Sequence, residues 1–367
     1  MIIGGKYVDQ DSRVLIIAEV GINHDGKLEQ ALQLIDAAAE AGADIVKFQL
    51  FTAEKMYTKF GGQYKTANGS MVDINALLKD MELPISWLPT LQSYCAEKGL
   101  GFLCTACDTD GADLLEAHGA DAFKMAAAAV AHIPLLQHVA RKGKPVVMST
   151  GGAFLPNIDD AVCAMEAEGN KQIALMHCVV KYPTPLEDCN LKFIQTLKLL
   201  YPEYIIGYSD HTEDPILAPV AAVVMGAKIV EKHITPDKSL PGADHSFAIT
   251  PDQLKAMVAA IRETERKLAA GETVEVDPRV PGSSRKRMDE AEVKSRNFGY
   301  RTIFATADLK KGDKITTANT DILRPGQCER GIDPKYWQML MDLGTCVNKD
   351  LEVGRPIRWK DVLCVEE

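Results

Sequence analysis

The stretch GADIVKFQ at residues 42–49 indicates the fold most clearly, because two variants of it recur: GADAFKMA at 119–126 and GAKIVEKH at 226–233. Each copy opens with a glycine, which can end a helix in the left-handed conformation, and continues as an apolar strand. Side chains alternate along a strand, so Lys47 and Gln49 share one face. The repeated unit is therefore a helix, a glycine turn and a buried strand that ends in polar residues.

Apolar runs of this kind alternate with helical patterns through the first 250 residues. The predicted strands lie at 14–20, 45–49, 102–106, 122–126, 145–150, 173–178, 205–210 and 228–234. This number of strand–helix units in about 250 residues predicts a parallel (β/α)8 TIM barrel. The alternative is a doubly wound open sheet, but that fold favours a GxGxxG turn after its first strand, and this chain has GINHDG at 21–26.

Changes in composition divide the chain into three parts. Residues 1–270 form the predicted barrel, residues 271–297 a polar linker, and residues 298–367 a small β-rich tail. Within the tail, DLKKGDKI at 308–315 is echoed by DLEVGRPI at 350–357. Two matching turn-and-strand units in so short a segment predict a pseudo-symmetric domain.

Composition restricts the class of protein. The 367 residues include 41 Lys and Arg against 51 Asp and Glu, a net charge of −10, which argues against a nucleic-acid binder. The basic cluster at 285–287 is therefore interpreted as a solvated part of the linker. No stretch resembles a signal peptide or a membrane span, and the closest of the nine cysteines, Cys104 and Cys107, have no second pair to complete a zinc site. These features predict a cytoplasmic protein with reduced thiols, acting on small molecules rather than on nucleic acid or membranes.

Chemistry in (β/α)8 barrels occurs at the carboxyl ends of the strands. The residues predicted there are Glu19, Lys47, Gln49, Thr105, Lys124, Ser149, His177, Ser209, His211 and His233. Residues 1–280 hold 25 Lys and Arg against 37 Asp and Glu. An anionic substrate must therefore be held by a few positioned cations rather than by a general positive field.

Lys47 and Lys124 are the candidate cations, since a lysine presents a point charge with three donors to a phosphate or carboxylate. Two alternatives stay open from the residues alone. Either lysine can be a structural ion-pair partner, or, once desolvated, a nucleophile that forms a Schiff base.

His211 and His233 end the seventh and eighth predicted strands, which are neighbours in a closed barrel. Two imidazoles near Glu231 are suited to a divalent ion that polarises a carbonyl, and the alternative is a pair of hydrogen-bonded structural histidines. Other histidines without such partners are predicted to be structural or exposed, namely His24, His118, His132 and His138.

Several motifs resemble the N-acetylneuraminate (sialic acid) synthase family. They are IIAEVGINHDG at 16–26, EAGADIVKFQ at 40–49, KPVVMSTGG at 144–152, GYSDHTEDP at 207–215, GAKIVEKHIT at 226–235 and PGADH at 241–245. The tail is similar to the antifreeze-protein-like (SAF) domain that ends these enzymes, in ATADLKKGD at 305–313 and LRPG at 323–326.

The resemblance implies condensation of phosphoenolpyruvate with an N-acyl amino sugar, giving a nonulosonic (sialic-acid-like) acid and phosphate. The implied ligands of a divalent metal, Mn²⁺ or Mg²⁺, are His211 and His233. The expected catalytic residues are Glu19, Lys47, Lys124 and Glu231. The expected substrate-binding residues are Gln49, Thr105, Ser149, Tyr182, Ser209, Asp244, Phe298 and Arg324. Family enzymes are domain-swapped homodimers, so Arg324 is expected to reach the sugar from the tail of a partner subunit.

The chain departs from the family pattern after the fourth and sixth strands. Ala127 and Ala129 stand where the family has a serine and a glutamate, and Val180 stands where it has a small polar residue. These changes leave open a divergent acceptor or a non-catalytic sugar-binding homologue. The lysines leave open an aldolase that acts on pyruvate.

Overall fold

The computed structural model of the chain describes residues 1–65 and 70–363. Parallel strands close into an eight-stranded barrel in chain order, with the first strand paired to both the second and the last. The strands are β1 (Leu15–Gly21), β2 (Ile45–Leu50), β3 (Gly101–Ala106), β4 (Phe123–Met125), β5 (Val146–Ser149), β6 (Ile173–Cys178), β7 (Ile205–Asp210) and β8 (Ile229–His233). The predicted TIM barrel is confirmed, and the open doubly wound sheet is excluded.

A helix follows each strand and covers the outside of the barrel. The helices are α1 (Leu28–Ala41), α2 (Leu88–Glu97), α3 (Thr109–Ala117), α4 (Ile133–Arg141), α5 (Leu155–Ala167), α6 (Lys192–Leu200), α7 (Leu217–Val224) and α8 (Pro251–Ala269). The three glycines of the recurring motif, Gly42, Gly119 and Gly226, have φ of 81°, 79° and 97°, the left-handed conformation predicted for them. Within residues 1–65 and 70–363, no helix is both long and apolar enough to cross a membrane.

The two ends of the barrel interior differ in polarity. At the amino ends of the strands, inward-facing Leu15, Ile17, Ile45 and Leu103 form an apolar cluster, which Ile3 of an N-terminal hairpin closes. At the carboxyl ends, the inward positions carry charged and polar side chains that are nevertheless buried. The outward-facing residues of the strands pack in the larger core between the barrel and the helices.

The segment between β2 and α2 rises over the carboxyl end of the barrel. It contains a hairpin of Gln63–Lys65 with Met71–Asp73 and a short helix, Ile74–Lys79. Phe51 and Met56 from this segment form an apolar cluster with other residues around the barrel mouth.

The predicted linker contains a helix that the sequence analysis did not anticipate. Helix α9 (Glu290–Gly299) begins within 271–297, and the Asp289 carboxylate caps it by accepting from the Glu292 N–H at 2.8 Å. The interpretation of 285–287 as solvated is wrong for Lys286, which is buried and donates to the Cys178 carbonyl at 2.6 Å.

The tail has its own small apolar core and a two-stranded antiparallel sheet, β9 (Thr302–Ala305) with β10 (Thr320–Leu323). Its internal echo is visible in the structure, because Leu309 and Leu351 exchange backbone hydrogen bonds of 2.8 and 2.9 Å. Residues 364–367 of the predicted tail lie outside the described part of the chain.

The tail packs on the barrel of its own chain. The buried Arg301 guanidinium joins the two parts by donating to the carbonyls of Lys55 (2.8 Å) and Cys107 (2.9 Å) in the barrel and of Ile322 (2.8 Å) in the tail.

Candidate active site

The carboxyl ends of the barrel strands hold a network of four buried charges that alternate in sign. Lys47 Nζ lies 2.7 Å from Glu19 Oε2 and 3.6 Å from Glu231 Oε1. Lys124 Nζ lies 3.7 Å from Glu231 Oε2. The four residues come from β1, β2, β4 and β8, so the closed barrel assembles a site that is scattered along the sequence. Burial of these charges is tolerable because each cation faces a carboxylate.

Burial disfavours every charge in this network, so each pKa reports how well the neighbours compensate. Burial raises the pKa of Glu19, against the opposing effect of Lys47. Burial acts in the same direction on Glu231, but Lys124 and Lys47 outweigh it and lower the pKa of that carboxyl. Burial lowers the pKa of the Lys124 ammonium, with Glu231 only partly compensating. The pKa values of the two glutamates are thus shifted in opposite directions. Neighbouring carboxyls acquire different acid–base roles in this way.

Polar side chains on the same inward face extend the network. Lys47 donates to Thr105 Oγ1 at 3.2 Å, and Lys124 donates to Ser149 Oγ at 2.7 Å. Ser209 donates to Glu231 at 3.1 Å, and Gln49 donates to Glu19 at 2.7 Å. The structure therefore brings together these four residues and the four charged ones, as the alternation of the strands predicts.

His177 does not belong to this site, and its predicted place among the inward strand-end residues is wrong. Its imidazole faces the helices, where Nε2 contacts the Cys189 carbonyl at 2.7 Å and the ring stacks on Tyr208. Along β6 the inward residues are Ala174 and Met176, one position out of step with His177. Because both faces of this strand are apolar, the sequence pattern did not distinguish them.

His211 and His233 lie side by side at the ends of β7 and β8, with ring centroids 5.6 Å apart. Burial lowers the pKa of His211 to about 4 and holds that of His233 well below its usual value, so both rings are neutral near pH 7. His211 Nδ1 donates to the Val179 carbonyl at 2.7 Å. Among the described residues, His233 Nδ1 has no hydrogen-bond partner, and it lies 3.5 Å from Asp244 Oδ2.

Two neutral imidazoles, one with an unpartnered nitrogen, are suitable donors for a divalent ion. Within residues 1–65 and 70–363, no group of three or more His, Cys, Asp or Glu side chains forms a metal site. An ion held by His211 and His233 would therefore take its other ligands from water and substrate, as catalytic metals with open positions do.

The buried network of Glu19, Lys47, Lys124 and Glu231 is called the charged floor below. A pocket of about 530 Å³ opens above it. Gln49, His233 and Asp244 line its base, and Tyr182 lines its side. Most of the upper wall is apolar, formed by the segment after β2 and by α9. A pocket of about 650 Å³ on the tail is lined by none of the predicted site residues.

Arg324 and Phe298 line the same pocket. The Arg324 backbone pairs with the barrel, donating to the Met56 carbonyl at 2.9 Å and accepting from the Thr58 N–H at 3.0 Å. Its guanidinium lies 5.5 Å from the ring centre of Tyr57, and Phe298 packs on the same ring. In this single chain, the barrel therefore receives Arg324 from its own tail.

The sequence model of the NeuB family matches residues 34–273. This range covers more than half of the chain and carries most of the charged floor.

The chain belongs to the NeuB family. Spore coat polysaccharide biosynthesis protein SpsE of Bacillus subtilis (strain 168) is 50% identical to it over 361 residues, covering 98% of this chain and 96% of SpsE. The crystal structure of SpsE matches this fold with a TM-score of 0.87 at 48% identity, covering 97% of each chain. The N,N'-diacetyllegionaminic acid synthase of Legionella pneumophila is 34% identical, covering 95% of this chain and 94% of that enzyme. The predicted resemblance to N-acetylneuraminate synthases is confirmed.

The departures from the NeuB family pattern fall into two kinds in the structure. Ala127 and Val180 line the pocket and form a small apolar cluster with Cys178. Ala129 instead packs in the core between barrel and helices and does not line the pocket. Ala127 and Val180, together with Ala126 and Ala128, therefore make this part of the pocket wall apolar.

Sequence reasoning missed three residues of this NeuB family site. Phe247 packs against His233 and His211, with ring centroids 5.1 and 6.0 Å away, and Tyr57 supports Arg324. Glu292 of α9 reaches the loops after β5 and β6. None carries a local signal, because each is placed by a loop or by the linker rather than by strand alternation.

Proposed function

We propose that the protein condenses phosphoenolpyruvate with an N-acyl amino sugar, using Mn²⁺ or Mg²⁺, to give a nonulosonic acid and phosphate. The observation that carries the proposal is the buried floor of Lys47, Lys124, Glu19 and Glu231 beside two neutral imidazoles. Membership of the NeuB family supports it, as does the name of the Legionella relative, a diacetyllegionaminic acid synthase.

Lys47 and Lys124 bind the phosphate and carboxylate of phosphoenolpyruvate, with Thr105, Ser149 and Ser209 as polar partners. Both lysines are fixed by surrounding bonds, so their charges are oriented before substrate arrives. His211 and His233 would hold the divalent metal, which when bound would supply Lewis-acid polarisation of the sugar aldehyde.

Glu19 is the proton-transfer group for the water that adds to the enol carbon of phosphoenolpyruvate. Its carboxyl has the raised pKa of the pair, and Gln49 orients it from the pocket side. Glu231 stays ionised between the two lysines and keeps them in place. With these roles, proton transfer does not require the glutamate that the family has at the position of Ala129.

The sugar is held in the pocket above the floor. Gln49, Tyr182 and Asp244 contact its hydroxyls from the barrel, while Arg324 and Phe298 cover its N-acyl group from the linker and tail. All of these side chains line one pocket.

The direct test measures phosphate release from phosphoenolpyruvate with Mn²⁺ and a panel of N-acyl amino sugars. Release with at least one sugar is expected, and none with any sugar or metal contradicts the proposal. His211→Ala and His233→Ala should each abolish turnover, whereas unchanged activity rules out the metal assignment. Sugar binding by calorimetry without turnover would instead identify a non-catalytic homologue, and borohydride trapping with pyruvate would reveal a Schiff-base aldolase.

We further propose an antifreeze-like tail and a domain-swapped homodimer, in which the Arg324 contacts described above form between subunits. Mixing the inactive variant Lys47→Met with Arg324→Ala, assayed at a sugar concentration far below the raised KM of Arg324→Ala so that it contributes little activity, tests this. After unfolding and refolding together, a swapped heterodimer contains one site with both residues intact, and activity is regained. A tail that serves its own barrel regains none.

A further inference from the structure

Helix α9 places a buried carboxylate against the loops that follow β5 and β6. Glu292 is 3% exposed, and its Oε1 accepts from the backbone N–H groups of Gly152 (3.1 Å) and Val180 (3.3 Å). In the described part of the chain, it forms no ion pair with a side-chain cation. Burial of a carboxylate is costly unless hydrogen bonds compensate for the lost water, so these two backbone donors must stay in place.

The rest of α9 fixes that position. Arg296 Nε donates to the Gly152 carbonyl at 2.7 Å, and the Tyr300 hydroxyl, just beyond the helix, donates to the Gly151 carbonyl. Glu292, Arg296 and Tyr300 are spaced four residues apart, so they approach the Gly151–Gly152 pair from one side of the segment. A Cβ at Gly152, where φ is +65°, would lie 3.0 Å from Val180 and 3.1 Å from Tyr300. The loop therefore accepts the helix closely because glycine stands there.

The Val180 N–H belongs to the peptide group whose carbonyl is that of Val179. This same carbonyl accepts from His211 Nδ1 at 2.7 Å. One peptide group thus joins the Glu292 carboxylate at its N–H end to the His211 imidazole at its C=O end. A negative charge at the N–H end polarises the peptide and strengthens the carbonyl as an acceptor.

A carbonyl can only accept, so His211 Nδ1 must carry the hydrogen and Nε2 the lone pair. Metal-binding histidines are commonly oriented in this way by a hydrogen bond to the other ring nitrogen. Here the charge that supports the bond comes from the linker, 81 residues further along the chain than His211.

We propose that Glu292 is a positioning residue for His211, acting through the Val179–Val180 peptide to fix the tautomer and the direction of the ring. The inference rests on the proposed role of His211 as a metal ligand. It makes docking of α9 a condition for a well-formed metal site, so Glu292 contributes to the chemistry without touching substrate.

The test compares Glu292→Ala, Glu292→Gln and the control Glu290→Ala in the full chain. Glu290 lies on the same helix but is exposed and pairs with Lys294. Mn²⁺ affinity, measured without substrates from the electron paramagnetic resonance signal of the free ion, should fall about tenfold in Glu292→Ala. Glu292→Gln keeps an oxygen acceptor without the charge and should lose about threefold or less. Glu290→Ala should bind as the wild type does.

A second measurement needs neither metal nor activity. Nitrogen-15 NMR of labelled histidine should show the Nδ1–H tautomer for His211 in the wild type and a mixture of tautomers in Glu292→Ala. If that variant does not fold, Glu292→Gln serves, with a smaller population of the second tautomer.

The outcomes separate the two proposals. Wild-type affinity and a single tautomer in both Glu292 variants overturn the inference and leave the proposed function intact. A wild-type protein that binds no Mn²⁺ overturns the proposed metal site, and the inference with it.

Discussion

The two ends of the barrel interior are built from the same strands and have opposite character. Ile17 and Glu19 are two residues apart on one face of β1, yet Ile17 belongs to an apolar cluster and Glu19 to a network of four charges. Lys47 stands in the same relation to Ile45 on β2. The apolar amino end thus stabilises the fold, and the charged carboxyl end holds the candidate active site. Substitutions at the amino end should therefore lower stability alone, whereas those at the carboxyl end should lower activity.

The largest effect is expected from Lys47→Met at the charged end. This change leaves Glu19 and Glu231 facing each other without their shared cation, which should lower the free energy of unfolding by about 3–5 kcal/mol and abolish activity. Urea unfolding measures the stability. The double variant Glu19→Gln/Lys47→Met removes a charge of each sign and should recover part of the loss. A double variant no more stable than the single one would contradict the ion-pair account.

At the apolar end, Ile17→Ala should cost about 2–4 kcal/mol, because it opens a cavity in a fully buried cluster. The KM for phosphoenolpyruvate should not change, since the first charged residue of the site on this face of β1 is Glu19, two residues beyond Ile17. A raised KM at unchanged stability would show that the two ends are not independent.

Acid should weaken the fold through buried neutral histidines. Burial lowers the pKa of His177 to about 3, far below the value of about 6.5 expected in the unfolded chain. The unfolded state therefore binds more protons below pH 6.5, so this stability is complete above pH 6.5 and is lost as the pH falls toward 3.

His177 alone should account for about 1.4 kcal/mol per pH unit in that range. Urea unfolding of His177→Gln between pH 6.5 and 4 checks this, because the variant should show a shallower decline than the wild type. Equal slopes would mean that His177 does not titrate as its burial implies.

The smallest effect is expected at the rim. Arg324→Ala should raise the KM for the sugar about tenfold, because a charged hydrogen-bond donor is lost, and should leave the KM for phosphoenolpyruvate unchanged. Initial rates with each substrate varied in turn provide the measurement. Arg355→Ala, which removes an exposed arginine of the tail, is the control. An equal rise in the KM values for the sugar and for phosphoenolpyruvate would indicate that Arg324 acts on the charged floor as well as on the rim.

The sequence was sufficient to predict the strands and the inward-facing side chains, because the alternation of residues along a strand determines both. Every predicted strand boundary lies within one residue of the observed one, and Glu19, Lys47, Lys124 and Glu231 face inward as expected. Prediction failed where tertiary contacts decide. His177 faces the helices because a strand buried on both sides gives no polarity signal, and Lys286 is buried because the linker crosses the end of β6.

The contact between Tyr57 and Arg324 joins positions separated by most of the chain. A ribosome releases the barrel strands first, and domains generally fold in the order of synthesis. The pocket therefore acquires its rim only after Arg301 and β10 have emerged and docked on a finished barrel, that of the same chain or of a partner subunit. A nascent or truncated chain that ends before residue 300 would expose the charged floor without its cover, so the proposed sugar site is the last part of the molecule to be completed.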